Sequence, residues 1–379
     1  MKIYCILFDT FPRHPKMEEL FKSKNLHYAD YLTQSCTGLT YTSMFAGATP
    51  SAMRNPGGIG HSHTYAQLSI GEQEVWNKKI VLKDLPDDWN IHFHSMPTTR
   101  GDDNSILGSW PMYSDVNTVP GLRDCKLLPD DICGRFRDFK FYDYKEGVDE
   151  INFIQKMQNL SNTENHFICL KYNHYHDMER GKHEDVFRIF EDIIKKIDFE
   201  EENSLFWLFA DHGEPEGVDE LQSPPDSWLS WCSVTDNITN KKVTKRIIGC
   251  ADFKNTVLNR VFSDISKSLP NDVLDEVDME RIYVGEDGRG KIDEHNCTTV
   301  SAIKYLGGDR YIQYAIHNPQ AISKKYDNII ERTIIYDTSK KGTDGYMGIT
   351  NRTFELVEIN DELKNYLKNG IWRWYFTNE

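Results

Sequence analysis

The chain has 379 residues, of which 39% are hydrophobic and 12% aromatic, so it is large enough for one large domain or two ordinary domains with buried cores. It carries 59 acidic and 44 basic residues, and this net charge of -15 argues against non-specific binding to nucleic acid, which depends on Lys and Arg. We therefore expect no nucleic acid as a structural partner, although a metal ion could still attract an anionic substrate.

The apolar run near the N-terminus extends only from Ile3 to Phe8, which is too short for a signal-peptide core or a spanning helix. No other window approaches about 18 consecutive apolar residues. We therefore expect a soluble protein, cytoplasmic or otherwise, without a membrane span. The eight cysteines include no C-x-x-C pair and are expected to be reduced thiols.

In chain order, the predicted elements alternate between strand and helix. KIYCILF predicts a buried strand, PKMEELFKS a helix, and TYTSMFAGATP a helix that ends near Gly47. NIHFHSMP predicts a strand with His92 and His94 on one face, because side chains two residues apart share a face. HFICLKYNHYHD predicts a strand that runs into polar residues, and HEDVFRIFEDIIKKIDF predicts an amphipathic helix. LFWLFA and RIIGC predict two further strands, and DFKNTVLNRVF predicts a helix.

This alternation predicts an α/β fold with a mostly parallel central sheet and helices on both faces. The last part of the chain differs, because RYIQYAIHN, RTIIYDT and TFELVEI alternate as antiparallel strands do and NDELKNYLKNGIW is typical of a helix. We predict an α/β core over residues 1–275, followed by a small C-terminal antiparallel sheet with a helix over residues 276–379.

Polar residues follow three of the predicted strands directly. Asp9 follows the first strand, His174 and His176 come just after CLKY, and Asp211 and His212 follow LFWLFA. In parallel α/β sheets, ligands bind beyond the carboxyl ends of the strands. Carboxylates from two strands together with a histidine suit a divalent cation, so the joint pattern predicts a metal site.

Three segments resemble motifs of the alkaline phosphatase and sulfatase superfamily. Members have an early strand that ends in an acidic metal ligand, then a nucleophile at a helix start in a pattern such as T-x-P-S-x-x-x-L-x-T-G, and much later an apolar strand that ends in D-H-G-E or D-N-G. Here FDT supplies Asp9, TGLTYTSMFAG supplies Thr37, and FADHGE supplies Asp211 and His212. The resemblance covers roughly residues 1–265, and it implies a metal-dependent ester hydrolase or transferase.

The resemblance also implies roles for individual residues. Thr37 would be the nucleophile. A divalent ion (Zn, Mn, Mg or Ca) would be bound by Asp9, Thr37, Asp211 and His212. The presence of a second ion is left open. Thr40 stands where the family has Ser and would contact the substrate. A threonine hydroxyl is a poor nucleophile at neutral pH, and coordination to a cation would activate it.

Four histidines lie where sulfatase-like chains carry substrate or leaving-group contacts. His92 would bind the anionic group of the substrate, while His94, His174 and His176 would act in catalysis. Imidazoles suit protonation of a leaving group because they titrate near neutral pH.

The residue in the nucleophile position separates the possible substrates. Sulfatases of the usual type need Cys, or sometimes Ser, whereas the aligned residue here is Thr37 and Cys36 lies one position away. We therefore predict an anionic phosphate ester as the substrate. A sulfatase-like hydrolase of sulfate esters, or a non-catalytic binding protein that keeps the fold, remains an alternative, and the oligomeric state is left open.

Overall fold

The structure of the protein is a computed structural model. It describes residues 1–8, 11, 15–34, 37–48, 80–95, 136–141, 148–172, 183–211, 228–262, 269–276, 279–287, 298–318, 330–337 and 353–369. In this part of the chain, no helix is both long enough and apolar enough to cross a membrane.

The described part of the chain forms two sheets, and the larger one has eight strands in the order β4-β3-β5-β1-β6-β7-β2-β8. Its strands are β1 (Lys2–Phe8), β2 (Ala29–Leu32), β3 (Trp89–Ser95), β4 (Phe136–Phe141), β5 (Asn165–Tyr172), β6 (Ser204–Phe209), β7 (Leu229–Asp236) and β8 (Ile247–Gly249). All strands run parallel except β7, which pairs antiparallel with both of its neighbours. The carboxyl ends of β1, β2, β5, β6 and β8 therefore point to the same edge of the sheet.

The two central strands of this sheet are buried along their whole length. Every residue of β1 and of β6 is buried, which is the pattern of a parallel strand covered on both faces. Along β1, alternate side chains pack into two separate apolar cores, one on each face of the sheet. The position of a residue along the strand therefore decides which helices it contacts.

Among the described residues, six helices cover the larger sheet. One face is covered by α1 (Pro15–Ser23), α4 (Val148–Gln158) and α5 (His183–Lys196), and the other by α2 (Thr37–Ala46), α3 (Val81–Asp84) and α6 (Asp252–Val261). Helix α2 ends because Gly47 adopts a left-handed conformation with φ of 65° and donates its N–H to the Ser43 carbonyl.

The smaller sheet is antiparallel and has the order β13-β12-β11-β10-β9. Its strands are β9 (Ile282–Asp287), β10 (Thr298–Gly307), β11 (Arg310–Asn318), β12 (Ile330–Asp337) and β13 (Thr353–Val357). One face packs on α7 (Asp361–Asn369) through Leu363 and Leu367. The other face packs on the larger sheet, in a core that includes Trp228 and Tyr311, and the Tyr311 hydroxyl donates to Asp30 over 2.6 Å.

The fold class predicted from the sequence is confirmed: a mostly parallel sheet with helices on both faces, and a small C-terminal antiparallel sheet with a helix. The predicted division at residues 275 and 276 stays a prediction. The described strands of the larger sheet come from residues 2–249, and those of the smaller sheet begin at Ile282.

Candidate active site

The carboxyl ends of β1 and β6 lie side by side in the sheet. Leu7 of β1 pairs with Phe209 of β6, so the two strands end almost level. Asp211 follows β6 by two residues and is fully buried. The N–H of the preceding Ala210 donates to the Trp231 carbonyl of β7, which continues the pairing beyond the strand. The backbone that carries the Asp211 carboxylate is therefore anchored in the sheet.

Aromatic packing holds Phe8 and Phe11, the described residues on either side of Asp9–Thr10. The N–H of Phe11 donates to the Phe8 carbonyl, and the indole Nε1 of Trp231 donates to the Phe11 carbonyl at 2.9 Å. Phe8 and Phe11 both pack on the ring of Phe190 in α5, with ring centroids 4.7 and 4.6 Å apart. These contacts fix both residues that flank the segment Asp9–Thr10 in sequence.

Thr40 connects the first turns of α2 to the end of β6. Its hydroxyl is buried, donates to the carbonyl oxygen of Asp211 at 2.8 Å, and accepts the N–H of Gln34 at 3.0 Å. The hydroxyl also lies 3.3 Å from the Gln34 carbonyl oxygen, so the described contacts commit it to backbone groups of Gln34 and Asp211. The role of substrate ligand predicted for Thr40 stays a prediction, and the observed contacts give the residue a positioning role as well.

Thr37 is the first residue of α2, as the resemblance predicts for the nucleophile. Thr37 comes three residues, or about one helical turn, before Thr40 in α2. The first N–H groups of a helix have no partner inside it, and together with the helix dipole they favour an anion at that end. The hydrogen bond from the Thr40 hydroxyl to the Asp211 carbonyl holds the first turns of this helix next to the end of β6.

Several predicted site residues lie outside the described part of the chain. These are Asp9, His174, His176 and His212, together with the side chain of Thr37. Among the residues that the structure does describe, no group of three or more His, Cys, Asp or Glu side chains could hold a metal ion. The predicted ligand set therefore stays a prediction, with only Asp211 located.

Asp211 by itself fits a metal ligand. Its position beyond the carboxyl end of a central parallel strand is where α/β sheets bind ligands. Carboxylate oxygens with one or more imidazoles suit the divalent ions predicted from the sequence.

His92 and His94 lie on the same face of β3, as predicted, and both are buried. The Nε2 atom of His92 is 3.0 Å from Nδ1 of His166, and the His94 ring packs against Phe153 of α4 with centroids 4.9 Å apart. Both side chains thus face the helices on the α4 side of the sheet. No described contact joins either of them to Thr40, whose helix covers the opposite face, and their catalytic roles stay predictions.

The buried histidine pair has a defined proton arrangement. His166 Nε2 lies 3.3 Å from the Ser161 carbonyl, which only accepts, so Nε2 carries a proton and Nδ1 accepts from His92. Burial lowers the pKa of His166, which favours the neutral ring. This arrangement stabilises the start of β5 next to β3.

Gln34 is a residue of this region that sequence reasoning did not identify. Its buried side-chain amide donates to the Val284 carbonyl of β9 at 3.1 Å, and it also contacts the Ser43 hydroxyl and the Cys250 sulfur at 3.4 and 3.8 Å. These partners lie up to 250 residues away in sequence, so no local pattern could have revealed them. Gln34 links α2 to the smaller sheet.

The Cys250 thiol is unsuited to nucleophilic attack. Burial raises its pKa to about 11, because the charged thiolate is poorly solvated there. At neutral pH it is a protonated, weakly polar group that lines the space next to Gln34.

Comparison with known proteins finds solved structures that are similar to this chain, but no similar sequence. No protein-family model and no curated protein sequence matches the chain. The chain is similar to the lipoteichoic acid synthase LtaP from Listeria monocytogenes, with 11% identity and a TM-score of 0.49 over 99% of this chain and 91% of that one. It is also similar to a protein in the alkaline phosphatase superfamily from Vibrio parahaemolyticus, with 11% identity and a TM-score of 0.47 over 100% and 87%. A third match is the phosphoglycerol transferase GacH from Streptococcus pyogenes, in complex with sn-glycerol-1-phosphate, with 9% identity and a TM-score of 0.41 over 68% and 74%.

Proposed function

We propose that the protein is a metal-dependent hydrolase or transferase of phosphate esters and that Thr37 is its nucleophile. The observation that carries this proposal is the hydrogen bond from the Thr40 hydroxyl to the Asp211 carbonyl. It brings the helix that begins at Thr37 against the strand end that carries the buried Asp211 and, next in sequence, His212.

The chain's own groups would bind and orient the ester. The first turn of α2 offers backbone N–H groups to the anionic part of the substrate, which places phosphorus next to the first residue of the helix. A hydroxyl held close to the reacting atom gains rate from orientation alone. The two hydrogen bonds of Thr40 keep this helix start in a fixed position relative to β6.

The proposed metal ligands are Asp9, Thr37, Asp211 and His212. A divalent ion bound there would offset the negative charge of the ester and favour ionisation of the threonine hydroxyl. The carboxylates of Asp9 and Asp211 follow two adjacent strands, and those strands end almost level. We leave open whether the ion is Zn, Mn, Mg or Ca and whether a second ion binds.

His174 and His176 are the proposed acids for the leaving group. They follow β5, which is the other neighbour of β1 in the sheet, by two and four residues. His94, the penultimate residue of β3, is proposed for the same task and His92 as a contact of the anionic group, although both side chains pack on the face of the sheet opposite α2. A group that protonates the leaving oxygen has to titrate near the working pH, as an imidazole does.

The test combines metal analysis with a panel of substrates. The purified protein is stripped with a chelator, reloaded separately with Zn, Mn, Mg or Ca, and assayed on phosphomonoesters, phosphodiesters and sulfate esters. The proposal predicts turnover of phosphate esters that is lost on stripping and restored by reloading. Turnover of sulfate esters alone would favour the sulfatase-like alternative, and a protein that takes up no metal and turns over no ester would contradict the proposal and favour the non-catalytic alternative.

A further inference from the structure

Gln34 is the last described residue before α2, and its side chain reaches the smaller sheet. In the sequence, only two residues separate it from Thr37, where the helix begins. Its side-chain amide is buried and donates to the Val284 carbonyl of β9 at 3.1 Å. The chain is therefore tied to the smaller sheet just before it enters the helix that carries the proposed nucleophile.

The backbone that leads from β2 to Gln34 is held by the larger sheet. The N–H of Thr33 donates to the Trp228 carbonyl at 2.8 Å. The N–H of Gln34 itself donates to the Thr40 hydroxyl at 3.0 Å. Because the backbone is held up to this residue, the Gln34 side chain extends from a fixed position towards β9.

Strand β9 is a firm anchor for the Gln34 amide. In the described part of the chain it is an edge strand of the smaller sheet and pairs with β10 alone. An edge strand can accept hydrogen bonds from groups outside its sheet, and the Val284 carbonyl accepts one from Gln34. The next residue, Gly285, lies so close to the indole ring of Trp228 that an added Cβ would be 3.2 Å from it. Strand β9 is thus packed closely on the larger sheet right beside the accepting carbonyl.

The Gln34 amide also contacts α2 itself. Its Nε2 atom lies 3.4 Å from the Ser43 hydroxyl, and that hydroxyl donates its own proton to the Ala48 carbonyl at 2.8 Å. The Ser43 oxygen therefore offers a lone pair to the amide. Gln34 and Ser43 are both buried, where hydrogen bonds are electrostatically stronger than in water. One neutral side chain thus bridges the helix and the smaller sheet.

We propose that Gln34 is a positioning residue for the reaction and that it couples the smaller sheet to the start of α2. The proposal rests on the function proposed above, because it gives the smaller sheet the task of holding Thr37 at the reacting phosphorus. The bond from Thr40 to Asp211 ties the helix to the larger sheet, and Gln34 ties the chain before the helix to the smaller one. Turnover therefore depends on both sheets.

Two variants remove this tether, and a third provides the matched control. Gln34→Met keeps the length of the side chain and removes both donor hydrogens. Gln34→Asn keeps the amide on a side chain that is one methylene shorter, and it decides the test if Gln34→Met does not fold. Tyr311→Phe is the control, since it removes another buried hydrogen bond between the two sheets, the one to Asp30 at 2.6 Å. That bond joins β11 to β2 and does not involve α2.

Hydrogen exchange measures the tether without any reaction. Peptides that cover α2 should exchange roughly three- to tenfold faster in Gln34→Met than in the wild-type protein, which is the effect of about one hydrogen bond. Exchange of peptides that cover β1 corrects for any loss of global stability. After this correction, Tyr311→Phe should leave the exchange of α2 unchanged. Equal exchange of α2 in Gln34→Met and the wild-type protein, or the same acceleration in Tyr311→Phe, would overturn the proposal.

Steady-state kinetics test the consequence for the reaction. The substrates are p-nitrophenyl phosphate and bis(p-nitrophenyl) phosphate, assayed with the metal-loaded protein. Gln34→Met should lower kcat about tenfold or more and keep KM within about twofold, because a small displacement of the nucleophile slows the reaction without removing a substrate contact. Tyr311→Phe should keep both constants within about twofold. A rise in KM at unchanged kcat in Gln34→Met would overturn the proposal.

A double variant tests whether Gln34 and Thr40 act on the same helix start. When Gln34→Met and Thr40→Val are combined, kcat should fall by less than the product of the two single effects, because either change alone already releases this part of the chain. A fall equal to the full product would contradict the shared action.

The two kinds of measurement separate this proposal from the proposed function. Faster exchange of α2 in Gln34→Met, together with no turnover of either ester by the wild-type protein, would contradict the proposed function while supporting the coupling of α2 to the smaller sheet. Turnover by the wild-type protein with the same kcat in Gln34→Met would contradict the role of Gln34 while supporting the function.

Discussion

Replacement of Thr40 by valine should destabilise the protein and slow its reaction, because it removes the hydroxyl that joins α2 to β6. Valine has nearly the same shape, so the cost arises from the Asp211 carbonyl and the Gln34 N–H, which both lose this partner in a buried site. At about 1–2 kcal/mol for each buried group, Thr40→Val should lower the free energy of unfolding by about 2–4 kcal/mol. A domain with the usual stability of about 5–15 kcal/mol stays folded after that loss.

The activity of this variant distinguishes a positioning role from substrate contact. If Thr40 positions Thr37, then kcat should fall strongly, since a displacement of about 1 Å in an active site can cost about 100-fold in rate. KM should change little. If the Thr40 hydroxyl contacts the substrate, as the resemblance to the superfamily implies, then KM should rise instead.

Thr40→Ser is the matched control. It keeps the hydroxyl and removes one methyl group, so it should cost only about 0.8 kcal/mol and retain most of the activity. Urea denaturation and steady-state kinetics on all three proteins provide the assay. Equal stability of Thr40→Val and the wild-type protein, or an equal loss in Thr40→Ser, would refute the reasoning.

Further predictions concern stability. Arg260 bridges the buried Asp236 and Asp272 carboxylates, with an N–O distance of 2.6 Å to each. Arg260→Met should therefore lower the free energy of unfolding in urea denaturation by about 3–5 kcal/mol, and a loss below about 1 kcal/mol would contradict this. Burial of Asp272 opposes ionisation of its carboxyl group. The hydrogen bond and the positive charge of Arg260 favour ionisation more strongly, so the pKa of Asp272 is lowered. The wild-type protein should therefore lose stability as the pH falls below about 4, and Arg260→Met should lose less. Burial lowers the pKa of His27, so the free energy of unfolding should also decline below about pH 6.5, by at most about 1.4 kcal/mol per pH unit. If His27→Gln leaves this pH dependence of stability unchanged, the assignment to His27 is refuted. Gly249→Ala should destabilise the protein by about 1–3 kcal/mol and lower its melting temperature, because the added Cβ atom would lie 2.8 Å from a tyrosine ring of the smaller sheet. An unchanged melting temperature would show that the ring moves freely.

Several long or uniformly apolar elements could be predicted from periodicity, although the ten-residue strand β10 and the eleven-residue helix α4 were not predicted. The amphipathic pattern of residues 183–199 and the apolar run of LFWLFA correspond to α5 and β6. Strand β2 was not predicted, because four residues, ADYL, are too few to show a period. Strand β7 was also not predicted, since its sequence LSWCSVTD mixes polar and apolar residues on both faces although nearly all of them are buried.

The prediction of the candidate site rests on resemblance and not on periodicity, and it stays a prediction. The FADHGE motif located Asp211, and the motif TGLTYTSMFAG located the helix start at Thr37. The contacts that hold these parts together could not be predicted, because the bond between Thr40 and Asp211 spans 171 residues. A single sequence contains no local signal for such a pair, and the same holds for the contacts of Gln34 with the smaller sheet.

The most direct test of the central claim is the metal-dependent turnover of a phosphate ester by Thr37→Ala, compared with Thr37→Ser, Cys36→Ala and the wild-type protein. We predict that Thr37→Ala has no measurable turnover but keeps its fold and most of its bound metal. The metal should stay because Asp9, Asp211 and His212 remain as proposed ligands. The fold should stay because loss of a threonine at a helix start costs only about 0.5–2 kcal/mol of stability. Thr37→Ser should retain part of the activity, and Cys36→Ala should retain nearly all of it. Full activity in Thr37→Ala together with complete loss in Cys36→Ala would contradict the account and assign the reaction to the neighbouring thiol.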